Sequence, residues 1–133
     1  MVATREDKIF TTLSYPNPYY PDERCDWSIR SPFDNRGVEI TFTDFELEDD
    51  SECLYDKVEL YRDGEFDRLG CGDKFLNASF QAAKEIRVFF RTDGGKFDNQ
   101  RGFRAVYRLG KVLNTYTVMP QISARPIISL CKL

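Results

Sequence analysis

The sequence is organised around residues 42–56, which read FTDFELEDDSECLYD. Just before and into this stretch, apolar residues at 38, 40 and 42 alternate with polar residues at 39, 41 and 43, which predicts a half-buried strand over residues 38–45. Five carboxylates then crowd around one cysteine, Cys53: Glu48, Asp49, Asp50, Glu52 and Asp56. Carboxylates this close repel one another unless water or a cation separates them. The second half is therefore either a solvated acidic loop or part of a calcium site.

The same two-residue alternation recurs in short segments along the chain, separated by Gly, Pro, Asn and Asp. It predicts further strands over residues 8–13, 25–30, 57–61, 86–91 and 103–109. Residues 78–84 are the only helix candidate, and the segment is short. This pattern predicts an all-β sandwich. The expected core residues are Trp27, Ile40, Phe42, Val58, Leu60, Val88, Phe90 and Phe103.

Composition narrows the classes of function. The length of 133 residues suits one domain, and at a net charge of −3 no basic stripe indicates nucleic-acid binding. No apolar run is long enough to cross a bilayer. Histidine is absent, which excludes serine–histidine, cysteine–histidine and HExxH chemistry within this chain. Paired carboxylates are the remaining route to catalysis, so we expect a binding module and not an enzyme.

The four cysteines, at positions 25, 53, 71 and 131, form no CxxC motif. This spacing argues against a zinc knuckle or a redox pair. Widely spaced cysteines fit disulfides in a secreted domain or buried thiols in a cytosolic one, and the strand-rich pattern favours the secreted domain.

The two ends of the chain differ in composition from its middle. Residues 1–7 are polar and are expected to be frayed, and no apolar segment of a signal peptide follows Met1. Residues 111–133 contain no acidic residue and show no clear period, which predicts a tail outside the domain. The expected domain therefore covers residues 8–110.

Seven motifs in consistent order resemble the CUB domain family over residues 8–109. They are SYPNPYYP, CDWSI, FELE, CLYDKVELYRDG, LGCG, VFFRTD and GFRAVY, beginning at residues 14, 25, 45, 53, 69, 88 and 102. Each motif is weak alone, and the ordered set is specific. The resemblance implies a compact antiparallel β-sandwich of jelly-roll type, in agreement with the alternation pattern.

The resemblance also carries implications for the cysteines. Cys53 and Cys71 match the second disulfide of the family, and a loop of that size is worth about 3 kcal/mol. The place of the family's first cysteine falls at or before Met1, so we expect a chain truncated at its start. Cys25 is then expected to be unpaired, with a bond to Cys131 as the alternative.

A subset of the family binds calcium through one glutamate and two aspartates. The resemblance places these ligands at Glu48, Asp56 and Asp93, with the carbonyl of Gly95 as a further candidate. Calcium takes six to eight oxygen ligands, and three carboxylates leave the site with one negative charge. In the family, a tyrosine of the segment that corresponds to SYPNPYYP (residues 14–21) supports the calcium site. Of Tyr19 and Tyr20, we favour Tyr20 because Pro21 follows it. The remaining acidic residues are interpreted as solvated neighbours of the site (Asp49, Asp50, Glu52) or as turn residues (Asp44, Asp63, Asp98).

Calcium-binding members of the family use this site to recognise a lysine or arginine of a protein partner. The resemblance therefore implies an extracellular, calcium-binding protein-interaction module. The sequon Asn77-Ala78-Ser79 predicts N-glycosylation in such a protein. The alternatives are a calcium-independent CUB-like adhesin, a non-catalytic regulatory fragment of an extracellular protease, and a chain with a missing start and an unrelated tail.

Overall fold

Two antiparallel β-sheets pack face to face in the computed structural model, which describes residues 1–4, 6–95, 99–112 and 130–132. The strands are β1 (Lys8–Thr11), β2 (Arg24–Arg30), β3 (Arg36–Glu46), β4 (Lys57–Arg62), β5 (Glu65–Gly70), β6 (Ser79–Ala82), β7 (Glu85–Arg91), β8 (Gly102–Val112) and β9 (Leu130–Lys132). The strands of one sheet follow the order β1-β8-β3-β6 and those of the other the order β5-β4-β7-β2-β9. The described residues contain no helix, and the predicted all-β sandwich is confirmed.

An aromatic cluster fills the space between the sheets. All eight residues that the sequence predicts for the core belong to it or pack with it in one hydrophobic cluster. The ring of Phe103 lies edge-on to Trp27 of one sheet and Phe42 of its own, with centroids 5.2 and 5.3 Å apart. Such edge contacts stabilise by about 0.5–1.5 kcal/mol each beyond burial. The alternation in the sequence therefore identified the faces that meet.

The segment that was the only helix candidate, residues 78–84, contains the edge strand β6 instead. Phe80 is buried against Phe42, while Ser79 and Gln81 point outward, so the segment follows the two-residue period of a strand. Strand β5 was not predicted, because most of its side chains are exposed and show no alternation.

Both ends of the described chain pack more closely than expected. Ala3 is fully buried and its N–H donates to the carbonyl of Arg30 at 2.9 Å, so the predicted fraying does not occur there. At the other end, β8 runs to Val112, and β9 pairs with the edge of β2 that β7 leaves open.

Pairing of β9 with β2 places Cys131 opposite Cys25, and the two form a disulfide. The expectation of an unpaired Cys25 is corrected, and residues 130–132 belong to the sheet. The remainder of the predicted tail, 113–129 and 133, lies outside the described residues, as does Asp98. Among the residues that are described, no helix is long and apolar enough to span a membrane.

Candidate metal centre

Strand register brings distant acidic residues to one end of the sandwich. Lys57 at the start of β4 and Arg24 at the start of β2 both pair with Arg91 at the end of β7. Asp56, one residue before β4, and Asp93, two residues after β7, therefore emerge side by side.

The carboxylate oxygens of Glu48, Asp56 and Asp93 lie within 4.8 Å of one another. Asp56 is only 4% exposed, whereas Glu48 and Asp93 are half-buried at the rim. Calcium binds oxygen at about 2.3–2.6 Å, so oxygens on opposite sides of one ion are up to about 5 Å apart. The spacing of the three carboxylates fits one such ion.

Tyr19 joins two of the segments that supply the carboxylates. Its ring is 7% exposed and lies edge-on to Phe90, with centroids 5.3 Å apart. Its hydroxyl donates to Oδ2 of Asp56 at 2.5 Å and accepts the N–H of Glu48 at 3.0 Å. Burial, together with the hydrogen bond to Asp56, raises the pKa of Tyr19, so this hydroxyl remains a donor.

Tyr19, and not the favoured Tyr20, therefore contacts the candidate ligands, and its support of a bound ion stays a prediction. Tyr20 is 49% exposed, and its N–H donates to Oε2 of Glu23 at 3.2 Å. The inward face of β2 occupies odd positions and extends backward to buried Glu23, but this alternation ends there because Pro21 is exposed. Neither this alternation nor the position of Pro21 therefore separates Tyr19 from Tyr20 in the sequence.

The carboxylate of Asp56 is buried next to a second carboxylate. Burial raises the pKa of Asp56 and the nearby charge of Asp93 adds to the effect, while hydrogen bonds from the Tyr19 hydroxyl and the Asp93 N–H oppose it. Within the described part of the chain, no lysine or arginine forms an ion pair with Asp56 or Asp93. Desolvated carboxylates without positive partners favour a bound cation.

The backbone after β7 positions Asp93. Its carbonyl accepts the N–H of Asp22 at 3.0 Å, and its Oδ1 accepts the N–H of Gly95 at 3.2 Å. A Cβ atom at Gly95 would lie 3.1 Å from Oδ2 of Asp93, which is closer than ordinary contact. Gly95 therefore lies directly against the site, and its role as a carbonyl ligand stays a prediction.

A disulfide and two backbone bonds hold the acidic loop in place. Cys53 and Cys71 form the pair that the resemblance implied. The N–H of Leu47 donates to the carbonyl of Gly72 at 2.8 Å, and the N–H of Gly72 donates to the carbonyl of Glu48 at 3.3 Å. Gly72 has φ +57°, a conformation that glycine adopts without steric cost.

Known proteins are similar to this chain in both sequence and fold. The family model for the CUB domain matches residues 1–107. Human Tolloid-like protein 2 is 38% identical over 80% of this chain, and zebrafish Adhesion G-protein coupled receptor G6 is 33% identical over 92%. The match covers 10% of each of these proteins, so the chain spans about a tenth of their length.

Solved structures with a similar fold include CUB domains. The full extracellular region of zebrafish Gpr126/Adgrg6 superposes with a TM-score of 0.72 at 33% identity, over 84% of this chain and 15% of that one. The MASP-1 CUB2 domain bound to Ca²⁺ superposes with a TM-score of 0.66 at 28% identity, over 80% of this chain and 96% of that domain.

A two-sheet sandwich with an acidic site among its end loops belongs to the class of β-sandwich recognition domains. The chain belongs to the CUB family. CUB domains are non-catalytic protein-interaction modules of proteins that are mainly extracellular or secreted, and the relatives include a receptor. A CUB structure with bound Ca²⁺ is among the similar folds, and this chain has an acidic cluster suited to a metal.

Proposed function

We propose that this domain binds one Ca²⁺ through Glu48, Asp56 and Asp93, with the carbonyl of Gly95 as a further ligand. The observation that carries the proposal is the convergence of three carboxylate oxygens within 4.8 Å around a buried aspartate. Bound calcium supplies positive charge and fixes oxygen ligands in place. Tyr19 contributes by orienting Asp56 and the Glu48 backbone through one hydroxyl.

The ordered site then binds a lysine or arginine side chain of an extracellular protein partner. Three carboxylates and one Ca²⁺ leave one negative charge, and a cationic side chain neutralises it. Exposed apolar residues next to the ligands support a protein partner. Tyr20, which follows Tyr19, is 49% exposed, and Leu54 and Tyr55, which precede Asp56, are 64% and 50% exposed. Such amphipathic surfaces are enriched at protein interfaces.

The test uses two short synthetic peptides, one bearing lysine and its matched version with acetylated lysine. We expect the full chain to bind the lysine peptide in calcium, to lose it in EDTA, and to bind the acetylated peptide weakly, as measured by surface plasmon resonance. Asp93→Asn should abolish the calcium-dependent part of binding. Glu52→Gln removes a charge from the exposed part of the acidic loop and serves as the control with unchanged binding.

Two results contradict the proposal. Binding that survives both EDTA and Asp93→Asn favours the calcium-independent adhesin. Equal losses in Asp93→Asn and Glu52→Gln show that net charge, and not an ordered site, attracts the peptide.

The proposed location of the protein is extracellular, with a glycan on Asn77. Two disulfides support an oxidising compartment. Asn77 is exposed in a turn with φ 60°, and Ser79 of the sequon begins the edge strand β6. A peptide map of protein secreted from a eukaryotic host should show modified Asn77, and an unmodified residue contradicts this part of the proposal.

A further inference from the structure

The outer surface of the five-stranded sheet carries an aromatic cluster that faces solvent. We call Tyr61, Phe66 and Phe89 the aromatic face. The ring of Tyr61 lies edge-on to both Phe66 and Phe89, with centroids 5.6 and 5.2 Å apart. Phe66 is 56% exposed, and neighbouring Leu69 is 37% exposed. Contiguous exposed apolar side chains rimmed by polar residues are typical of interaction sites.

Two arginines lie over Phe89 of the aromatic face. The guanidinium carbon of Arg87 lies 4.9 Å from the ring centroid of Phe89, and that of Arg91 lies 5.2 Å from it. These contacts hold the guanidinium groups against the ring by cation–π attraction. The arginines are therefore pre-positioned, and less side-chain entropy is lost when a partner binds.

Charge on the outer surface of the three strands β2, β4 and β7 is opposite in sign to the net charge of the chain. The outward positions of β2, β4 and β7 hold five basic and three acidic residues, whereas the whole chain carries −3. Each acidic residue already has a basic partner: Asp26 with Arg91 at 2.7 Å, Glu59 with Lys57 at 3.9 Å, and Glu85 with Arg30 at 2.9 Å.

Two arginines of this surface remain without an ion pair in the described part of the chain, Arg24 and Arg87. Arg87 pairs in register with Tyr61 of β4, so an unneutralised cation lies directly beside the aromatic face. Arginine and tyrosine dominate binding energy at many protein interfaces. The surface therefore offers both an apolar centre and an anchor for a carboxylate.

We propose that the aromatic face is a second interaction surface, which binds an acidic protein segment bearing apolar side chains and does so without calcium. A carboxylate of the segment pairs with Arg87, and its apolar side chains cover Phe66 and Tyr61. The apolar centre favours a protein segment over a sulfated polysaccharide, which would pair with the cations and leave the exposed rings uncovered.

The test is run with the full chain in EDTA, where the calcium site cannot contribute. The probe is a short fluorescent peptide that alternates glutamate with leucine, and binding is followed by fluorescence anisotropy. The comparison ligands are a glutamate–serine peptide, a lysine–leucine peptide and heparin. We expect saturable binding of the glutamate–leucine peptide in preference to all three.

Variants then locate the binding surface. Arg87→Gln and Phe66→Ser should each lower the affinity for the glutamate–leucine peptide by about tenfold, the effect of losing one interface anchor. Arg108→Gln is the matched control, because it removes one outward-facing arginine from β8 in the opposite sheet and should leave the affinity unchanged. Unchanged melting temperatures show that each variant folds.

Three results overturn the proposal: no saturable binding of the glutamate–leucine peptide, preference for heparin or for the glutamate–serine peptide, or equal weakening by Arg87→Gln and Arg108→Gln. Since the assay contains EDTA, its failure leaves the calcium proposal standing, and failure of the calcium proposal leaves this result unaffected.

Discussion

Two aspartates flank strand β4, and their surroundings are opposite in character. Asp63, just after the strand, accepts the N–H groups of Ala83, Lys84 and Glu85 at 2.7–3.0 Å. Partial burial opposes its charge, but the three backbone donors outweigh that effect and lower the pKa of Asp63. Asp56, just before the strand, is buried beside another carboxylate, and its pKa is raised.

The difference distinguishes a structural carboxylate from one suited to a ligand. The carboxylate of Asp63 joins the turn between β4 and β5 to the turn between β6 and β7. Asp56 has two donors, both from the site itself, and its partners Glu48 and Asp93 add negative charge. The same residue type therefore has a fold-stabilising environment at one end of the strand and, at the other, the environment on which the calcium proposal rests.

The largest expected effect comes from removing the charge of Asp56. Asp56→Asn should abolish the rise in melting temperature that calcium produces, which corresponds to about 1.4 kcal/mol at tenfold excess over Kd. In EDTA the variant should be at least as stable as the wild type, because a desolvated charge is lost. Calorimetric scans with calcium and with EDTA measure both. A calcium-dependent rise that persists in Asp56→Asn contradicts the assignment.

The next effect concerns the tyrosine that links the segments. Tyr19→Phe removes the hydroxyl between Asp56 and the Glu48 backbone and should weaken calcium binding by about tenfold or more. Tyr20→Phe is the control, because the exposed Tyr20 ring should leave calcium affinity unchanged. Titration calorimetry measures both. A larger loss of calcium affinity in Tyr20→Phe than in Tyr19→Phe contradicts the role given to Tyr19.

Removing the turn carboxylate should give a smaller effect of a different kind. Asp63→Ala should lower the free energy of unfolding by about 1 kcal/mol, because three backbone N–H groups exchange their carboxylate acceptor for water. Its calcium affinity should equal that of the wild type. Urea unfolding at several calcium concentrations checks this. A calcium-dependent loss would mean that the two ends of β4 are coupled.

The smallest effects are differences in pH dependence. The lowered pKa of Asp63 means that its stabilisation is present above its ordinary value of 3.8 and is lost as the pH falls through the folded-state pKa. Burial raises the pKa of Glu23, so its contribution is present below its ordinary value of 4.5 and is lost as the pH rises through the folded-state pKa.

Unfolding of Asp63→Ala and Glu23→Gln against the wild type over a pH series measures these contributions. As the pH rises, the free energy of unfolding of the wild type should increase relative to that of Asp63→Ala. Relative to that of Glu23→Gln, it should decrease. Parallel pH curves for either variant contradict the corresponding sign.

The sequence was informative wherever local alternation decided the structure. Buried Val38, Ile40 and Phe42 follow directly from their period, and so does the sandwich. The site residues needed the family resemblance, because Asp93 lies 37 positions from Asp56 and only the pairing of β4 with β7 joins them.

Other features depend on long-range packing that no local pattern encodes. The pairing of Cys131 with Cys25 requires β9 to add to the open edge of β2. The edge strand β5 shows no alternation of apolar and polar residues, because most of its side chains on both faces are exposed to solvent. The choice of Tyr19 over Tyr20 was not readable from the alternation of β2, because exposed Pro21 and the turn at Asp22, with φ 56°, interrupt it.

The most direct test of the account is calcium titration of the wild-type chain by isothermal calorimetry. We predict one saturable site per chain with Kd of about 10⁻⁴–10⁻³ M, the range of extracellular calcium modules. The absence of saturable heat in that range, or the same isotherm from a chain that carries Glu48→Gln, Asp56→Asn and Asp93→Asn together, would contradict it.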